Sequence, residues 1–267
     1  MSSSQIIALL VFLLFVAAFG WWVFPKKKNR KTTVFRNAWR SILKVNVDFY
    51  NKLPAQEKTR FEASILQLLD NVRITGVGIE VDDTDRMLVA ASGVIPLFGF
   101  PGWHYRSLNE VLLYEGTFNQ DFKTHEAEDR NILGMVGGTG MTGTMILSKP
   151  GLHRAFGDQH SSHHVGIHEF VHLLDRADGT ADGIPETLLK QSFLIPWVKL
   201  MHRKIKEIRD GDSNINPYGS TNEAEFFSVV SEYFFQQPHK LEKHHPKLYA
   251  MLENIFRQDM DGDNTIG

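Results

Sequence analysis

Two histidines four residues apart, His168 and His172, with Glu169 beside the first, lie in a segment whose apolar residues repeat at helical spacing. No other stretch constrains the fold as much. Ile167, Phe170, Val171 and Leu174 follow the i, i+3, i+4, i+7 rule, so the segment is an amphipathic helix with one face committed to a core. On such a helix the two imidazoles stand one turn above each other, where both can reach one metal ion. Glu169 lies about 100° round the helix, beside the metal rather than bound to it. A carboxylate there can take a proton from metal-bound water, which is why H-E-x-x-H marks metal-dependent peptide hydrolysis. The competing reading is a helix whose histidines face solvent or fill core positions. Asp175, one turn on and nearly in line with the histidines, is placed to accept the second ring N–H of a ligating histidine. Asp178 either does the same or closes the helix before Gly179.

The 267 residues include no cysteine. Disulfides and thiolate metal sites are therefore excluded, and a zinc ion would have to be held by histidine and carboxylate. The formal charge of -2 hides an asymmetry: residues 1–31 hold five of the 29 basic side chains and no acid, leaving 24 basic against 31 acidic residues, a net of -7. An acidic body of this kind argues against nucleic acid as the main partner.

The basic cluster Lys26, Lys27, Lys28, Arg30 and Lys31 directly follows an unbroken run of 19 apolar or small residues, 6–24. As a helix that run spans about 28 Å, enough to cross a bilayer. Trp21 and Trp22 sit at its end as interface anchors would. The positive-inside rule then puts the N-terminus outside and the remainder in the cytoplasm, with one pass through the membrane. A cleaved signal peptide is the alternative, but the arm before the run carries no positive charge. The expected organisation is an anchor over residues 1–25, a basic linker over 26–33, a folded domain over 34–257 and an acidic tail over 258–267.

Within the domain the periodicity predicts helices over 38–53, 57–69, 86–97, 190–209, 222–236 and 246–256, and strands over 110–114 and 142–148. Residues 76–81 read as a short loop or strand, Asp82-Asp83-Thr84 as a helix cap, and the glycine-rich 134–143 as a turn or flexible connection. The tail resembles a calcium loop only superficially, because its glycine is misplaced and no twelfth-position glutamate follows. A catalytic metal needs a third protein ligand, and the helix after Tyr218 offers Glu223, Glu225 and Glu232. Ser220 and Glu223 have capping-box spacing. Glu225 flanks the apolar stripe and is the acid most able to point inward, although it could also serve the Asn222 cap. Glu232 is the weaker candidate. The pairs His163-His164 and His244-His245 read as surface or cap residues.

H-E-F-V-H-L-L-D over 168–175, with Y-G-S-T-N-E-A-E over 218–225 and F-F-S-V-V-S-E-Y-F-F over 226–235, resembles the Mlc titration factor A family. These are bacterial zinc metallopeptidases whose catalytic fold is similar to the catalytic domain of anthrax lethal factor. The likeness extends over about residues 36–256, with weaker pieces around Leu53-Pro54 and Trp103-His104-Tyr105. It implies a mainly helical α+β, zincin-like metallopeptidase domain with a small sheet. It further implies one zinc ion on His168, His172 and Glu225, Glu169 as general base, and Tyr218 stabilising the oxyanion. Peptide or protein is the implied substrate, and a transcriptional regulator is the partner that the family name implies. A strand over 142–148, just before the metal helix, would pair with extended substrate at a sheet edge. The rival reading is a membrane-tethered regulator-binding protein with slow or vestigial peptidase activity, and a third is a structural zinc domain.

Overall fold

The computed structural model describes residues 34–116, 134–136, 143–158 and 161–260. The anchor and linker expected over 1–33 lie outside the described residues, as does most of the tail. Among the described residues no helix is long and apolar enough to cross a membrane. Phe35–Gly267 forms one packing unit, mainly helical with one small sheet.

Helices α1 (Asn37–Asn46), α2 (Asp48–Lys52) and α3 (Ala55–Asn71) open the unit. The continuous helix predicted over 38–53 is broken at Val47, which takes extended backbone and is 1% exposed. Turning the chain there buries Leu43, Val47 and Tyr50 together, which one straight helical stripe could not do. Strand β1 (Arg73–Val77) leads to α4 (Asp83–Leu97), which is buried from Met87 to Pro96. Asp82 caps α4 as the sequence suggests, in a reciprocal box with Asp85. The helix runs through Gly93 and Pro96 to Leu97, the end that the periodicity predicts. Gly93 serves packing: a Cβ there would stand 2.7 Å from Leu68 Cδ1 and 2.8 Å from the Phe170 ring.

The sheet runs β1-β2-β4-β3, with β2 at Glu110–Tyr114, β3 at Gly134–Val136 and β4 at Thr144–Ser148. β1, β2 and β4 are parallel and β3 is antiparallel to β4. Ile74, Val111 and Met145 align across the three parallel strands, as do Leu113 and Leu147 across β2 and β4, and all five are buried. This is period-two alternation with the apolar side toward the helices. Two expectations are corrected here. Residues 134–136 are a strand rather than part of a turn, while 137–142 lie outside the described residues. The strand predicted over 142–148 begins at Thr144 and is interior, covered by β3, so it is no sheet edge.

After β4 come α5 (Lys149–Gly157) and α6 (Val165–Asp175), the helix of the paired histidines. A loop then leads to α7 (Gln191–Arg209), a 3-10 turn (Pro217–Ser220), α8 (Glu223–Gln236), α9 (Pro238–His244) and α10 (Pro246–Phe256). Pro238, two residues after the end of α8, starts α9 at a position where a missing N–H costs nothing. α8 is buried from Phe226 to Phe235, with Ser228, Ser231 and Glu232 enclosed among its apolar side chains. Its aromatic side chains pack with Phe256, Tyr249 and Trp197. Each such ring contributes about 1.5–3 kcal/mol by leaving water. Gln258, read as the start of a solvated tail, is buried and donates from Nε2 to the Ile95 carbonyl at 2.9 Å.

Candidate metal centre

α6 and α8 pack side by side and bring together the residues singled out above. His164 caps α6, its ring accepting the Ile167 N–H at 3.1 Å. The helix buries Phe170, Val171 and Leu174 and turns His168 and His172 the other way, toward α8. Gly166 lets α6 press on α4, since a Cβ there would meet Ser92 Oγ at 2.2 Å. Opposite, Asn222 caps α8 by accepting the Glu225 N–H at 2.9 Å. That occupies the Glu225 backbone and leaves its carboxylate to reach across. The Ser220–Glu223 capping box does not form: Ser220 Oγ donates to the Pro217 carbonyl, and Glu223 faces His202 at the surface. The loop before α7 ties these parts together. Gly183 donates to Asp175 at 3.1 Å, receives the Trp197 indole N–H at 2.7 Å, and is pressed so tightly on the Glu223 carbonyl that no Cβ fits.

The result is three ligand atoms on His168, His172 and Glu225, all within 4.8 Å of one another. His168 Nε2 is 3.0 Å from Glu225 Oε2 and 3.1 Å from His172 Nε2, and His172 Nε2 is 3.4 Å from Glu225 Oε2. Tetrahedral coordination with bonds of about 2.0–2.1 Å separates neighbouring ligand atoms by about 3.3 Å. The donor set therefore fits a small divalent ion. Electrostatics agree. Burial would lower the His168 imidazole, yet the carboxylates of Glu232 and Glu225 push it well above its ordinary value. Burial works to raise the Glu225 carboxyl, but His168 and His172 outweigh it and hold that group below the usual range. Three carboxylates around two imidazoles make a place that favours a cation.

Glu169 is 5% exposed and raised by burial, partly offset by the two histidines. A carboxylate so placed holds a proton more readily than one in water. Tyr218 stands at the open side, 52% exposed, with its ring centroid 6.1 Å from that of His168. Burial and the charges of Glu225 and Glu169 raise its hydroxyl, keeping it a hydrogen-bond donor.

One assignment changes. Asp175 does not orient a histidine; its Oδ2 accepts the Gly183 N–H, and burial pushes its carboxyl up to about 6. The orienting carboxylate is Glu232, whose Oε1 lies 2.6 Å from His168 Nδ1 while Oε2 accepts the His164 N–H at 2.5 Å. Spacing offered a signal that went unused: Glu232 is seven residues after Glu225, two turns on and on the same face. His164 is a buried cap, and His245 is buried between Lys204 and Asn214 rather than at the surface.

A mainly helical α+β domain that turns two imidazoles and a facing carboxylate toward one point, with a further carboxylate beside them, belongs to the class of metallopeptidase-like proteins. More narrowly, the chain belongs to the glucose-regulated metallo-peptidase family M90, whose model matches residues 21–257. Metal is thus implied by the family as well as by the donor set. An uncharacterized protein of Synechocystis is 27% identical over 263 residues, covering 92% of this chain and 94% of its own length. Mlc titration factor A of Salmonella paratyphi B is 30% identical over 224 residues, covering 78% of this chain and 81% of its own. The Salmonella arizonae protein of the same name is 29% identical, with 78% and 86% covered.

Proposed function

We propose that this protein is a zinc-dependent peptidase held at the bacterial inner membrane by residues 6–24, with its folded domain in the cytoplasm. The convergence of His168, His172 and Glu225 on one point, with Glu169 buried alongside, is the observation that carries the reading. These three residues would hold the ion, which when bound supplies Lewis acidity and makes water a nucleophile at neutral pH. Glu169 takes the proton of the attacking water and delivers it to the leaving amine. Its raised carboxyl suits both halves of that exchange. Tyr218 donates to the oxygen on which negative charge develops, a contribution of about 2–4 kcal/mol for a well-placed donor. Glu232 keeps the His168 ring in one tautomer and one orientation. Extended substrate lies along β3, the edge strand that packs beside α6.

The test is hydrolysis of a mixed fluorogenic peptide library by the full-length, zinc-loaded protein and by Glu169→Gln. Cleavage that disappears in the variant supports the reading. No cleavage by either, with one zinc bound per chain, sinks it in favour of a protein that sequesters a regulator, a reading supported by the name of the Salmonella relatives, Mlc titration factor A. The membrane placement is tested separately by reporters fused after Gly267. Signal from an exported reporter alone would refute a cytoplasmic domain.

A further inference from the structure

Glu169, Leu173 and Arg176 follow one another at i, i+4 and i+7, so the face of α6 that carries Glu169 continues toward the helix end. There Leu173 and Arg176 enter the wall of a cavity of about 610 Å³. His104, Arg106 and Arg257 are the other basic side chains of that wall, Tyr105 is buried among them, and among the described residues no aspartate or glutamate lines it. His104, Arg106, Arg176 and Arg257 are all exposed. Three guanidinium groups gathered in one concavity run against the charge of the molecule, which is net -7 beyond residue 31. Repulsion alone would spread Arg106 and Arg257 apart, and among the described residues no acid lines the wall to offset it.

Arg257 is moreover held in place by its backbone. It has φ 52°, and among the described residues it is the non-glycine with positive φ. It closes α10 as a left-handed C-cap, a common helix ending, which fixes where its side chain leaves the backbone. The surroundings here are visible: a Cβ on Gly99 would stand 2.1 Å from the Phe256 carbonyl oxygen and 2.8 Å from that of Arg257. The Arg257 guanidinium is laid over Phe100, 4.5 Å from the ring centroid. A stacked guanidinium keeps its edge N–H groups available for a planar, bidentate acceptor.

We propose that this cavity binds a carboxylate of the peptide substrate, with Arg106 and Arg257 as its main partners, so that the protein selects acidic peptides. Hydrolysis of the bound peptide rests on the peptidase reading above; carboxylate binding does not. From Glu169 to Leu173 and Arg176 is about 6–10 Å along the helix, or two to three residues of extended chain. The recognised group is therefore a side chain two or three residues from the cleaved bond, or the terminal carboxylate of a short peptide.

The experiment uses the full-length, metal-loaded Glu169→Gln protein and fluorescence anisotropy of labelled hexapeptides. One glutamate is walked through an otherwise neutral sequence, with glutamine counterparts and with free or amidated C-termini. A glutamate or a free C-terminus at the favoured place should bind about tenfold tighter than its neutral counterpart, since a charge-assisted bidentate pair is among the stronger hydrogen-bonding arrangements. That ratio should fall to about one in Arg106→Gln/Arg257→Gln and shrink with added salt. Whichever carboxylate carries the advantage identifies the source. Arg106→Gln alone, on an exposed position, keeps the test sound where the double variant does not fold, and should remove part of the ratio. Equal affinity for all peptides overturns the proposal, as does an advantage that survives the arginine substitutions. Failure of the peptidase reading has a different signature: the otherwise unaltered protein cuts none of these peptides while the arginine-dependent ratio remains.

Discussion

His168 is gripped from two sides by carboxylates of one helix, Glu232 at Nδ1 and Glu225 at Nε2. Glu232 is itself fixed by the His164 N–H, so it is a rigid positioning group. Glu232→Gln should therefore weaken metal affinity by about 10–100-fold, read by competition with a chelator. The amide keeps one acceptor oxygen for the His168 ring but turns an NH2 toward the His164 N–H, so a urea midpoint measured alongside separates a folding loss from the loss of metal. Glu169→Gln should keep the metal and lose about 10²–10⁴ in kcat, measured by steady-state kinetics on a cleaved peptide. Tyr218→Phe should lose about 10²–10³ in kcat with little change in KM. The histidines, Glu169 and Glu225 were legible because spacing and the flanking apolar stripe mark their faces. Glu232 was not, because a carboxylate inside F-F-S-V-V-S-E-Y-F-F looks misplaced until the ring across the helix interface is known. Asp175 misled for the converse reason: it lies on the right line of the helix, but Gly183 of the next loop claims it.

At the scale of elements, the metal helix owes its place to a close crossing with α4. Gly166 admits Ser92 where any side chain would collide. Gly166→Ala should cost about 1–3 kcal/mol as overpacking, seen as a lower urea midpoint at unchanged slope. Asn222→Ala should cost about 1 kcal/mol by removing the α8 cap. It should also lower metal affinity, because the cap sets the backbone from which Glu225 projects. Long elements with one clear period (α3, α7, α8 and α10) could be read within a few residues. The break at Val47 could not, since periodicity runs through it and only the shape of the core calls for the turn. Nor could β3, three residues whose strand character comes from a distant partner, β4.

For the whole molecule, two buried imidazoles outside the donor set bear on acid stability. Burial holds both His164 and His245 down to about 4, with Lys204 adding to the effect at His245. In the unfolded chain these groups titrate near 6.5. Below that value the unfolded state takes up protons that these two folded groups refuse, so their contribution is lost as pH falls from 6.5 toward 4, while Asp175, held up at about 6, acts in the opposite sense over part of that window. Each group can contribute about 3 kcal/mol at most. Urea midpoints of the wild type and of His245→Gln measured across pH 4–8 isolate this contribution: the wild type should lose more than the variant between pH 6.5 and 4. Cysteine-free composition and an acidic body could be read before any fold was known, whereas which histidines are buried depends on packing that no local window contains.

Because a single helix supplies both grips on His168, the site cannot be dismantled piecemeal. Drawing α8 away from α6 removes the third donor and frees the imidazole in one movement. On the metal reading, cation occupancy and the packing of these two helices should therefore be coupled. Amide hydrogen exchange along α8 should slow on metal loading in step with the chelator titration, and a helix that stayed equally protected without metal would break that link.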